Sequence, residues 1–272
     1  MESDCEQQSA SLFLTPYFNM QQTLKNTLMQ LAAEYENKDF IVGDPSWFMH
    51  QVEGAANKET LAFVAASLSY GSRKQFLPKI QALLDCSNGR AQSFYDWVKT
   101  GTFKADIPDD QNRCFYRLYT YATMHKMLCA LQEMLLSYGT IKQYVKTHSN
   151  TETMTCSEAV EVIVRYFSER GIEGIIPKNT KSSCKRICMF LRWMVRDASP
   201  VDIGLWSDII DKRTLIIPMD THVLQEANRL GLMSSKVASM SSAIKLTARL
   251  REVFPDDPLK GDFALFGVGI AK

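Results

Sequence analysis

Glycine and proline are scarce, at 13 and 9 of 272 residues. Sandwiches and barrels need turn residues every few positions, so that supply argues against an all-β fold. No apolar run approaches the roughly 18–20 residues of a membrane-spanning helix. The opening Met1-Glu2-Ser3-Asp4 is polar and acidic, unlike the start of a secretory signal. There is no CxxC pair, no HxH or HExxH, and no GxGxxG or GxxxxGK[ST] loop. Those gaps remove zinc ribbons, common metallohydrolases and the usual nucleotide-binding loops. A large excess of one charge is also missing: 31 cations against 30 anions leave a net +1, so any nucleic-acid surface has to be local.

What is present is ordinary globular material, 46% hydrophobic and 22% charged, enough to exclude a disordered chain. Seven cysteines at 5, 86, 114, 129, 156, 184 and 188 are odd in number and irregular in spacing. They read as reduced, mostly buried thiols of a cytosolic protein. Apolar residues recur at helical offsets over 26–35, 59–70, 72–86, 91–99, 113–137, 139–147 and 157–170. Gly71 closes the second of these as a C-terminal glycine. Leu215-Ile216-Ile217 is the only strand-like fragment, too short for a sheet. Polar or Gly/Pro-bearing links fall at 101–111, 149–155, 171–180, 197–200 and 210–218. The fold class expected is all-α in two helical lobes, with residues 1–20 frayed and 21–272 forming one domain. Trp47 and Trp206 are expected in its core. His222 is expected to hydrogen-bond at a helix start.

The densest chemistry lies between 170 and 222. Residues 170–197 carry Arg170, Lys178, Lys181, Lys185, Arg186, Arg192 and Arg196 against Glu173 and Asp197, a local +5. On a helical wheel with Lys185 at zero, Arg192, Arg196 and Met189 fall within about 40° and Trp193 near 80°. Ile187, Phe190, Leu191, Met194 and Val195 gather on the opposite side. A helix so divided buries one face and shows Lys, Met, Arg and Trp on the other. Cations beside an aromatic suit phosphate neutralisation with base stacking.

From Gly174-Ile175-Ile176-Pro177, a polar bend leads into Lys185-Arg186 and an amphipathic helix. Then come Pro218-Met219-Asp220-Thr221-His222-Val223 and a tail, Gly261-Asp262-Phe263-Ala264-Leu265-Phe266-Gly267. Over about 22–272 this resembles the helix-hairpin-helix DNA glycosylase superfamily. The nearest likeness is to an uncharacterised bacterial family similar to archaeal 8-oxoguanine DNA glycosylases. The chain departs from the family at the hairpin, where Asn179–Ser183 stands in place of the usual Gly-x-Gly, and its Lys185–Asp220 spacing is longer than in the common endonuclease-type members, though similar to the archaeal type.

The resemblance implies a two-lobed fold with a cleft, and a catalytic hairpin and Asp region near 174–223. It implies excision of an oxidised purine such as 8-oxoguanine from double-stranded DNA, with associated lyase activity. Lys185 would be the Schiff-base nucleophile and Asp220 its carboxylate partner. Lys178 and Lys181 compete for the nucleophile's place. Lys178, Lys181, Arg186, Arg192 and Arg196 would bind DNA, with Lys181, Arg186 and Arg192 also lowering the pKa of Lys185. Met189, Trp193, Asp262, Phe263 and Phe266 would form the base pocket, Asp262 reading a purine N–H edge. No metal, iron–sulfur cluster or other cofactor is implied. The protein would be a monomer of the bacterial cytosol or nucleoid. The alternative is a non-catalytic DNA- or RNA-structure-binding protein on the same fold.

Overall fold

The computed structural model describes residues 20–149 and 153–270. It is mostly helical. The α-helices are α1 (Gln22–Tyr35), α2 (Ala55–Leu68), α3 (Arg73–Arg90), α4 (Phe94–Lys99), α5 (Tyr121–Tyr138), α6 (Ile141–Thr147), α7 (Cys156–Ser168), α8 (Lys185–Val195), α9 (Thr221–Arg229), α10 (Met240–Arg251) and α11 (Lys260–Ile270). Short 3₁₀ turns lie at Lys38–Ile41, Pro45–His50, Thr102–Ala105 and Lys212–Thr214. No helix among the described residues is long and apolar enough to cross a membrane.

The helix expected over 113–137 is split. Its first part is a hairpin, β1 (Cys114–Tyr116) against β2 (Tyr119–Thr120), and α5 starts only at Tyr121. Thr120 decides the boundary: its hydroxyl and that of Thr123 cap each other's backbone amides in a capping box. Leu215–Ile217 is extended but pairs with no strand. The frayed segment expected over 1–20 lies outside the described residues except Met20, which is buried.

Helix α2 is the axis of the core. Residues 59–68 are all buried, because the helix is apolar on every side and is surrounded by the 45–50 turn, α4 and α8. Its one buried carboxylate, Glu59, accepts from the amides of Ile141 and Lys142 at the start of α6, at 2.8 and 3.0 Å, and from Trp206 Nε1 at 2.8 Å. Burial pushes this carboxyl up to about 7 against the pull of those donors. Trp206 is therefore core, as expected, but Trp47 is 41% exposed. Helix α11 packs along α1 and against α9, and its Asp262 and Phe266 line one cavity with Lys185 and Asp220 at the starts of α8 and α9.

Candidate active site

Lys185 is the first residue of α8 and Asp220 caps α9. Two contacts hold these helix starts together. Ser183 Oγ donates to the Met219 carbonyl at 2.8 Å, and Lys185 Nζ donates to Asp220 Oδ2 at 2.7 Å. The other oxygen of Asp220 accepts from the Val223 amide at 2.9 Å. One carboxylate thus serves as helix cap and as partner of the amine, and the cap fixes its rotamer. Burial raises the Asp220 carboxyl, but Lys185 and the Val223 amide outweigh it and hold the group below its usual range. Both side chains remain about one-third exposed, 36% and 30%, so a ligand can reach them.

Cys184, the residue before Lys185, is buried with φ +46° and ψ 35°. A non-glycine residue in the left-handed region is strained by about 1–2 kcal/mol. Here it turns the chain directly into the amine-bearing residue. Gly171 and Gly174 also have positive φ, +67° and +85°, so the glycines of this connection act at its start rather than at 179–183. Burial pushes the thiols of Cys184 and Cys188 up, so both stay protonated near neutral pH and neither rivals Lys185 as a nucleophile. The described cysteines are all free, and Cys114 is exposed.

The basic face expected on α8 is not a surface. Arg192 and Arg196 are buried at 4% and 1% exposure. Arg192 binds Asp262 Oδ2 at 2.5 Å and Asp202 Oδ1 at 3.3 Å. Arg196 meets Asp257 at 2.7 and 2.9 Å, Glu36 at 2.7 Å, and Asp202. Two guanidiniums face four carboxylates, and burial pushes Asp202 and Asp262 up against the guanidiniums' pull. Arg196 is enclosed by these carboxylates, and Arg192, which reaches the wall of the cavity described below, is held by Asp202 and Asp262.

Trp193 is wholly buried, and its Nε1 has no hydrogen-bond partner. Phe263 is also buried, with the guanidiniums of Arg192 and Arg196 at 4.8 and 5.2 Å from its ring. These two leave the expected base pocket. Arg186 is spent on the chain itself, donating to the Ser67 carbonyl, the Tyr119 hydroxyl and the Gly174 carbonyl at 2.9, 2.8 and 2.7 Å. Lys178 pairs with Glu173 at 2.9 Å in the open, and Lys181 is exposed. Of the cations expected to depress the pKa of Lys185, Arg192 and Arg186 are thus otherwise engaged.

Lys185 and Asp220 line a cavity of about 520 Å³, shared with Met189, Asp262, Phe266 and His222. The sequence reading missed the opposite wall. Phe40, Asp44 and Arg73 complete it. Phe40 meets Phe266 edge-on at 4.7 Å, and the Arg73 guanidinium lies 5.4 Å from the Phe266 ring. Arg73 also pairs with Asp44 at 3.3 Å. Asp44 caps the 3₁₀ turn that starts at Pro45. The Asp-Pro step is a legible start signal, but nothing in it points to a site more than 140 residues away in sequence.

A family model described as a protein of unknown function, DUF2400, matches residues 44–271. No curated protein and no solved structure matches the chain. The matched span includes Asp44, Arg73, Lys185, Asp220 and α11, so the chain belongs to the DUF2400 family with its amine–carboxylate pair inside the shared region.

Proposed function

We propose that this protein is a DNA glycosylase with associated lyase activity, acting on an oxidised purine such as 8-oxoguanine in double-stranded DNA. The observation that carries the reading is the Lys185–Asp220 pair, 2.7 Å apart on the wall of a cavity large enough for a nucleobase. The local arrangement supports it: α7, a bend over 169–184, and α8 opening on the amine.

In the free protein the Lys185 amine donates to Asp220. Filling the cleft with base and sugar displaces water, and Asp220 then takes a proton from Lys185. The amine lone pair attacks C1′ of the extruded nucleotide. The glycosidic bond breaks, and the base leaves with its electron pair and is protonated. Loss of the ring oxygen from C1′ gives the imine. The imine acidifies the C2′ hydrogen, and β-elimination expels the 3′ phosphate. Water finally releases Lys185. Within the cleft the base lies against Met189 and Phe266. Asp262 and Asp44 supply acceptors for its N–H edge.

The test is borohydride trapping on duplexes carrying a lesion panel and an abasic site. The wild type gives a covalent protein–DNA adduct, and Lys185→Gln abolishes it without loss of helical circular dichroism. An adduct that survives Lys185→Gln and disappears in Lys181→Gln would move the nucleophile. No adduct or cleavage with any substrate would overturn the catalytic reading.

A further inference from the structure

A second cavity, of about 410 Å³, is lined by residues from the end of α5, from α6 and from the end of α7. It shares no lining residue with the cavity that holds Lys185. Its volume falls within the roughly 300–1,000 Å³ of small-molecule sites.

Four rings in mutual contact line it. Tyr144 meets Tyr138 at 5.0 Å and Tyr166 at 4.7 Å, both edge-on, and His148 at 4.2 Å with 32° between the planes. His148 is fixed there, because its Nδ1 donates to the Tyr144 carbonyl at 2.8 Å. Tyr138 and His148 are only half-buried, so ring surface remains for a planar guest.

Part of the cluster's polar chemistry is satisfied internally. The Tyr166 hydroxyl donates to the Ala130 carbonyl at 2.7 Å. The Arg170 guanidinium lies 3.7 Å from the Tyr166 ring, and its Nε donates to Glu133 at 3.1 Å. A purely structural cluster would end there. Three groups on the cavity wall have no such partner. Tyr144 is 6% exposed, yet its hydroxyl forms no hydrogen bond among the described residues. Only Trp193 Nε1 is both enclosed and unpartnered among them, so the Tyr144 hydroxyl is reached from the cavity. Burial pushes this phenol up while Arg165 and Arg170 pull it down, which puts both guanidiniums within electrostatic reach of it. Arg165 and Glu169 also line the cavity, one helical turn apart. Neither side chain forms an ion pair or a hydrogen bond among the described residues, with the other or with anything else.

The open groups define the guest. Tyr144 and Arg165 are donors and suit an oxyanion. The rings suit a flat, unsaturated body. Glu169 suits an N–H or O–H donor. Because Arg165 and Glu169 do not pair, the guest's anion and its donors belong at separate ends. An amino acid carries both charges about one carbon and would draw the two side chains together. A nucleoside monophosphate has a phosphate at one end and a flat base with N–H donors at the other.

We propose that this cavity binds a nucleoside monophosphate, with the phosphate on Arg165 and the Tyr144 hydroxyl, the base against Tyr138 and His148, and its amino edge on Glu169. The proposal stands apart from the glycosylase reading, since the two cavities are separate.

Calorimetric titration of the full chain with AMP, adenosine, inorganic phosphate and phenylalanine tests it. Wild type binds AMP with a Kd below about 1 mM, and more tightly than the other three. Arg165→Gln weakens AMP about tenfold and leaves adenosine unchanged. Tyr144→Phe weakens AMP roughly threefold without lowering the urea midpoint, because the hydroxyl it removes has no partner in the protein. Glu169→Ala weakens AMP and adenosine but not phosphate. The proposal is overturned if wild type does not bind AMP, if phosphate or phenylalanine binds as tightly as AMP, or if Arg165→Gln and Tyr144→Phe both keep wild-type affinity. AMP binding that is lost in Lys185→Gln and kept in Arg165→Gln would move the nucleotide to the other cavity and overturn it too. Failure of borohydride trapping with AMP binding intact would count against the catalytic reading alone.

Discussion

Replacing Arg196 by methionine separates a buried network from a DNA-binding face. The side chain is 1% exposed and bonded to Asp257, Glu36 and Asp202. Methionine fills much of the volume but leaves three carboxylates without that cation. Removing one partner of a buried pair costs about 3–5 kcal/mol, a large part of the 5–15 kcal/mol that holds a typical domain. Asp202 still faces Arg192, so the lower half of that range is expected. Urea unfolding at pH 7 is the assay. Lowering the pH protonates the stranded carboxylates, so the deficit relative to wild type shrinks as pH falls. Arg196→Met combined with Asp257→Leu should cost less than the two single changes added, because each single change strands a charge that the double change removes. A loss within about 0.5 kcal/mol, as for surface substitutions, together with a reduced salt slope for duplex binding, would refute the network and restore the basic face.

Three other outcomes follow from named contacts. Asp220→Asn keeps a good helix cap, so stability should change by less than about 1 kcal/mol, while borohydride trapping slows by roughly 100-fold or more for want of the proton acceptor; unchanged trapping would remove Asp220 from the chemistry. The Glu59 carboxyl is raised from 4.5 to about 7 in the folded chain, so the folded state binds the extra proton between those values. Stability should therefore fall by roughly 3 kcal/mol as pH rises through that window, a decline absent from Glu59→Gln; equal slopes in unfolding titrations of the two would contradict it. Trp206→Phe should destabilise more than Trp193→Phe, by about 1–2 kcal/mol, since it deprives Glu59 of a donor whereas Trp193 Nε1 has no partner to lose; the reverse order of unfolding midpoints would show that packing alone governs both sites.

Much of the secondary structure was legible because it is written locally. The periodicity over 59–70 and 157–170 acts within one or two turns of its own helices. The hairpin was missed because its alternation lasts only a few residues and merges with the apolar pattern of α5. Lys185 and Asp220 were readable from their phrases, and the structure does bring them into contact. Met189, Asp262 and Phe266 reach the same cavity, whereas Trp193 and Phe263 do not.

The sequence by itself determined a mostly helical chain with an amine at one helix start and a carboxylate at another. Those features depend on period 3.6, on caps and on residue identity, all short-range. Whether α8's charged stripe met water or protein was decided only by the tertiary structure. The wheel correctly set Arg192 and Arg196 on one side of α8, but their partners Glu36, Asp257 and Asp262 lie between 61 and 160 residues away. A local charge count sees the cations and not the carboxylates that folding carries to them. Ion pairs with Glu36 just after α1, Asp257 just before α11 and Asp262 within α11 turned an apparent phosphate-binding face into an interior ion cluster. The same packing left the Lys185–Asp220 pair at the edge of that interior, where one cavity joins it to Arg73 and Asp44.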